Sequence, residues 1–203
     1  MAYHDDLQAA LKQALPGMLV FMKDWSVQRR VRWAGPAKRP VGLFLHHTAA
    51  AATTSTSASD PGNKKGANNG VINFIQNHYE VPAASFTLDR DGTVYVHAAY
   101  PIWHAGLGSF KGKQPWSQWN CPDNMANDWF LGVEIMSKGQ KKDFTLAQKK
   151  NLVAMLKACA SVSPDWQPEW LKNLPRHKDW TTRKIDILYT NDEVKDWIVK
   201  YGQ

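Results

Sequence analysis

Two short apolar runs, Val41–His47 and Phe130–Met136, limit what this chain can fold into more than any other feature. Both are the length of a strand rather than of a helix, and both read as buried strands. Each carries a polar group where burial is costly, His46 near the end of the first and Glu134 inside the second. Helical patterns lie between and around them. Leu7, Leu11 and Leu15 recur at i, i+4 and i+8 over residues 5–15, and Pro16-Gly17 ends that stripe. Val71, Phe74 and Ile75 mark a second helix over 70–79. Thr145 caps a third that runs through Leu152, Val153, Met155, Leu156 and Cys159. Residues 84–88 and 93–98 read as two strands around Asp89-Arg90-Asp91-Gly92, with glycine for the positive φ of a tight turn. Residues 18–40 read as irregular or mixed. Strands alternate with helices and no internal repeat is visible, so the expected fold is α/β, a mixed central sheet flanked by helices in a single domain.

The 203 residues suit one domain, and 43% hydrophobic content can fill a core without disulfides or structural metal. Cys121 and Cys159 are the two cysteines, with no Cys-x-x-Cys pair, and free thiols are expected. No apolar run approaches the roughly 20 residues of a membrane span. The acidic start, Met1 to Asp6, is unlike the basic opening of a secretory signal, so synthesis and retention in the cytoplasm are expected. The net charge of +7 and pI of about 9.4 point to an anionic partner, nucleic acid or an acidic cell wall, and charge alone does not choose. Residues 49–70, rich in Ala, Thr, Ser, Gly and Asn, form a long loop that is either functional or an inert insertion.

Three distant side chains could share a metal. His46 ends an apolar strand; Asp186 follows His177 by nine positions, with Arg183 and Lys184 just before it. Two imidazoles and a carboxylate give zinc a tetrahedral site with one open position, where a hydrolase holds its nucleophilic water. Taken singly, each residue has an ordinary structural reading. Glu134 is either half of a salt bridge or a general base with a raised pKa. Trp103, Trp129 and Trp180 could line a glycan groove or fill the core.

In order along the chain, these segments resemble the zinc-dependent N-acetylmuramoyl-L-alanine amidases of the amidase-2, peptidoglycan-recognition-protein-like family. The resemblance rests on Leu43-Phe44-Leu45-His46-His47-Thr48-Ala49, Leu88 to Thr93, Trp103-His104-Ala105-Gly106, Asn127-Asp128 through Gly132-Val133-Glu134, and His177 with Arg183-Lys184-Ile185-Asp186. It runs from about Val41 to Asp186 and marks residues 36–203 as the catalytic domain, with 1–35 as an N-terminal helical extension.

The resemblance implies that His46, His177 and Asp186 bind zinc and that Glu134 and Lys184 are catalytic, Lys184 through the oxyanion. Trp103, His104, His47 and Trp180 are expected in the substrate site, His47 as the non-ligating neighbour of His46. Ala84 stands where one phage branch carries a catalytic tyrosine, which leaves the acid–base role to Glu134; Ser85 stands where many relatives have histidine. The last motif lacks the usual Pro-Gly and is one residue shorter, which makes Asp179 a fallback ligand.

The His-Lys-Asp-Trp start of that motif looks most like lysins of phages that infect actinobacteria. The expected function is therefore a bacteriolytic endolysin, held in the host cytoplasm until a holin opens the membrane. The expected partners are peptidoglycan and the anionic wall surface, with no nucleic acid and no membrane, for a monomer. The rival expectations are a cytosolic muropeptide-recycling amidase and a metal-free peptidoglycan-binding protein of the same fold.

Overall fold

The computed structural model describes residues 2–28, 39–49, 69–77, 81–166 and 171–202. Most of the 49–70 loop, the Arg29–Arg32 run and the end of the 70–79 helix lie outside them.

Five strands form one mixed sheet: β1 (Leu19–Phe21), β2 (Gly42–His47), β3 (Phe86–Leu88), β4 (Val94–Val96) and β5 (Phe130–Ile135). Their order is β1-β4-β3-β5-β2. The β3–β4 pair is the antiparallel hairpin expected from the Asp-Gly turn, and Gly92 adopts φ 93°. The other three pairings are parallel. Among the described residues, six α-helices flank the sheet: α1 (Tyr3–Ala14), α2 (Asn69–Asn77), α3 (Ala126–Trp129), α4 (Leu146–Ser161), α5 (His177–Trp180) and α6 (Asn191–Tyr201). Thr145 caps α4 through a complete capping box with Gln148. The mixed sheet with flanking helices is the fold class the sequence implies.

Strand alternation divides the sheet into two unlike faces. Leu43 and Leu45 of β2, Leu131 and Val133 of β5, and Phe86 and Leu88 of β3 join the main apolar cluster. Leu7 and Leu11 of α1, Leu152 and Leu156 of α4, and Val194 and Trp197 of α6 close over that cluster. The other face carries Phe44, His46, Gly132, Glu134, Thr87 and Tyr95, so the chemistry-bearing side chains share one side because the apolar ones fill the other.

Beyond single-turn helices such as α3 and α5, the main differences from the sequence expectation are β1 and α6. β1 lies in the stretch read as irregular; three residues are too few to show alternation. Helix α6 was not expected, although Thr190 and Glu193 form its capping box and Val194 and Trp197 face the core.

Leu7 and Leu11 are fully buried, and β1 pairs with β4, so residues 2–21 share the core and sheet of the rest. Each buried leucine contributes about 1.5–3 kcal/mol. Leu11→Ala should lower stability by about 2–5 kcal/mol in denaturant unfolding. A change below about 0.5 kcal/mol would mean that α1 does not pack on α4 in solution.

Candidate metal and hydrolytic site

The register of β2 on β5 sets His46 directly beside Glu134 on the polar face. β2 is an edge strand of the sheet. On its outer side the Leu45 amide donates to the Pro175 carbonyl at 2.8 Å and Leu45 bridges to Arg176, which brings His177 alongside His46. The chain then makes a short excursion and returns. The Lys178 amide donates to the Asp186 carbonyl at 2.9 Å, closing the loop with Asp186 beside His177. Three separate segments thus converge through backbone pairing alone.

The convergence is close. His46 Nδ1 and His177 Nδ1 are 3.0 Å apart, and Asp186 Oδ2 lies 3.1 Å from His177 Nδ1 and 3.4 Å from His46 Nδ1. All three residues are buried. Tetrahedral zinc with bonds of about 2.0–2.1 Å separates its ligand atoms by about 3.3 Å, so these separations fit one ion with little movement. The donor chemistry fits as well. His177 Nε2 donates to the Ala105 carbonyl at 3.1 Å, which leaves the Nδ1 lone pair of a neutral ring facing the cluster. Burial pushes His46 down to about 4, against the opposing pull of the Asp186 carboxylate, so its ring is neutral at physiological pH. Burial alone would raise Asp186, but the two imidazoles beside it outweigh that and hold the carboxyl well below its ordinary range. Two imidazole nitrogens and a carboxylate oxygen this close suit a divalent cation better than they suit one another.

Glu134 faces this cluster. Its Oε2 is sealed from solvent and has no hydrogen-bond partner. Burial pushes the carboxyl up to about 8, the Asp186 charge adds to the rise, and the Lys184 ammonium opposes it. Lys184 is exposed at the rim, and its charge also acts on His46. A carboxyl that can take or give a proton near neutral pH thus lies beside the candidate metal position.

The remaining expectations fare differently. The half-buried His104 ring is held between His46 Nε2, 3.2 Å from Nδ1, and the Phe130 carbonyl, 3.0 Å from Nε2. Trp103 is 43% exposed and lines an open pocket of about 480 Å³ with Leu107, Met125, Asn127 and Asp128. Trp180 must be corrected. It is 1% exposed, packs on Phe110 at 4.7 Å and donates from Nε1 to the Gly106 carbonyl, so it supports the loop from within and offers no face to a ligand. His47 must be corrected too. Alternation turns its ring away from the His46 face and against Gly139, where an added Cβ would lie 2.1 Å from Cε1. Both of its ring nitrogens are sealed from solvent and lack partners. Asp179 is engaged by Arg176 at 2.6 Å through both carboxylate oxygens, which excludes it as a fallback ligand. Cys121 and Cys159 are buried and unpaired.

Comparison with known families agrees with this geometry. The family model described as N-acetylmuramoyl-L-alanine amidase, Amidase_2, matches residues 36–187. The chain belongs to this family. Solved structures share the fold. A Drosophila PGRP-LB mutant in complex with tracheal cytotoxin superposes with TM-score 0.59 at 15% identity, covering 91% of this chain and 97% of that one. A selenomethionine derivative of AmpD gives 0.55 at 21% identity, over 91% and 97% of the two chains. The Ph2119 endolysin from a Thermus scotoductus bacteriophage gives 0.51 at 14% identity, over 89% and 98%. No curated protein sequence matches this member significantly.

The raised Glu134 carboxyl has a measurable consequence. Above its ordinary value of about 4.5 the unfolded chain ionises this group while the folded protein keeps it protonated up to about 8. Native stability therefore falls as pH rises across that window. His46, lowered to about 4, acts in the opposite sense and only below 6.5. Metal-free Glu134→Gln should melt higher than the parent at about pH 8, with the gap closing toward about pH 5. Equal melting temperatures at the higher pH would show that Glu134 is not desolvated.

Proposed function

We propose that this family member is a zinc-dependent N-acetylmuramoyl-L-alanine amidase that cuts the bond between muramic acid and the stem peptide of peptidoglycan. The observation that carries the reading is the approach of His46 Nδ1, His177 Nδ1 and Asp186 Oδ2 to within 3.0–3.4 Å of one another. Glu134 lies beside them with an unpartnered oxygen. Zinc bound at these three residues would supply a Lewis acid and a water acidified toward neutrality.

The chain's own residues supply the rest. Glu134 accepts a proton from the attacking water as its oxygen adds to the lactyl amide carbonyl carbon. Lys184 provides positive charge for the oxyanion at the rim of the site. As the carbon–nitrogen bond breaks, Glu134 passes its proton to the departing L-alanine amine. The products are a muramic carboxylate and a free peptide amino terminus, and Glu134 ends as it began. Trp103 offers an indole face on which a saccharide ring can stack beside the site.

The intact cell wall is the favoured substrate, with the protein acting as a phage endolysin that waits in the host cytoplasm for release. The net charge of +7 supports retention on an anionic wall.

The test is mass analysis of products from isolated sacculi and from soluble muropeptides, with and without a zinc chelator. New L-alanine amino termini released from sacculi, lost on chelation and restored by zinc, are the expected result. Cleavage of soluble muropeptides alone would assign a recycling role, and binding without cleavage would overturn the enzyme reading. Glu134→Gln should lower kcat by about 10²–10⁴-fold with zinc still bound. Lys184→Ala should lower it by about 10²–10³-fold, and near-parental turnover in either variant would contradict its assigned role.

A further inference from the structure

Trp103-His104-Ala105-Gly106 passes behind the metal position and touches both histidine ligands. The Ala105 carbonyl accepts from His177 Nε2 at 3.1 Å. The His104 ring makes the corresponding contact to His46, Nδ1 to Nε2 at 3.2 Å. Its other nitrogen, Nε2, is 3.0 Å from the Phe130 carbonyl. A carbonyl only accepts, so His104 Nε2 carries the proton. In the neutral ring Nδ1 is then a bare lone pair, and the proton shared with His46 belongs to His46 Nε2. That fixes the His46 tautomer: its own Nδ1 is unprotonated and points at His177 and Asp186. One backbone carbonyl thus sets the protonation pattern of two imidazoles in series.

Two further features hold the arrangement. Asn127 Oδ1 accepts from the amides of both His104 and Ala105, at 2.8 and 2.7 Å, which pins the segment on α3. Gly132 lies beneath the ring; a Cβ there would sit 2.6 Å from His104 Cβ and Cγ, so only glycine leaves the ring its position. Phe44 stacks on the other ring of the pair, His46, at 5.0 Å and 19°.

We propose that His104 and Asn127 are positioning residues: the Phe130 carbonyl and His104 lock the Nε2–H tautomer of His46, and Asn127 holds the segment that orients both histidine ligands. The inference rests on the zinc reading above. It replaces the sequence expectation that His104 contacts substrate, because both of its ring nitrogens are engaged by the protein. Partners of this kind typically govern metal affinity by about 10–100-fold.

The test compares zinc affinity, by chelator competition, in the parent, His104→Leu and His104→Gln, alongside ¹⁵N-histidine NMR of the zinc-loaded parent. His104→Leu keeps bulk but removes the acceptor and should weaken zinc binding by about 10–100-fold. Glutamine can accept from His46 and donate to Phe130, and should restore affinity to within a few-fold of the parent. The spectra should show the proton on Nε2 of both His46 and His104. A His104→Leu protein that binds zinc as tightly as the parent, or a proton found on His104 Nδ1, would overturn the inference. The spectra need no variant, so a misfolded His104→Leu leaves the test intact. Failure of the parent itself to bind zinc would instead overturn the zinc reading on which this inference depends.

Discussion

Three electron-pair donors brought together in a buried site repel one another unless something positive lies between them. His46, His177 and Asp186 create that situation, and the surrounding structure keeps them in place. The cost is met by ordinary elements. The β2–β5 ladder fixes His46 beside Glu134, the contact between Leu45 and Pro175 sets His177 next to it, and the Lys178–Asp186 backbone bond brings the carboxylate back. No ligand depends on a long side chain searching for its partner, which is what a preorganised site requires.

The sheet explains why acid–base chemistry and stability can coexist in a small domain. Apart from His47 at the end of β2, the strand side chains of one face are leucine, valine, isoleucine and phenylalanine, and α1, α4 and α6 seal it. The opposite face can then carry a neutral imidazole and a carboxyl raised to about 8 without emptying the core. Glu134 is the residue most at odds with folding and most useful for moving a proton, the pattern expected where function is held at the expense of stability.

Much of this was legible in the sequence. His46 and Glu134 stood out because each interrupts an apolar strand, and strand periodicity fixes which side such a residue faces. Asp186 was reachable from its spacing to His177. What stayed hidden depends on packing or on backbone atoms. Trp180 looked like a groove residue, but it lies on a single-turn helix, where periodicity cannot say which side is inward; Phe110 and the Gly106 carbonyl claim it. The role of His104 turns on the Phe130 carbonyl, and that of His177 on the Ala105 carbonyl, groups that every residue possesses and no motif marks. β1 is too short for a pattern, whereas α6 carried a readable Thr190–Glu193 cap that its polar surroundings obscured.

The most direct test of the central claim is anomalous diffraction at the zinc edge from crystals of the zinc-loaded protein. The arrangement predicts a single strong peak about 2.0–2.2 Å from His46 Nδ1, His177 Nδ1 and Asp186 Oδ2, with a fourth position open toward Glu134. A peak elsewhere, or none at this cluster under zinc saturation, would contradict it.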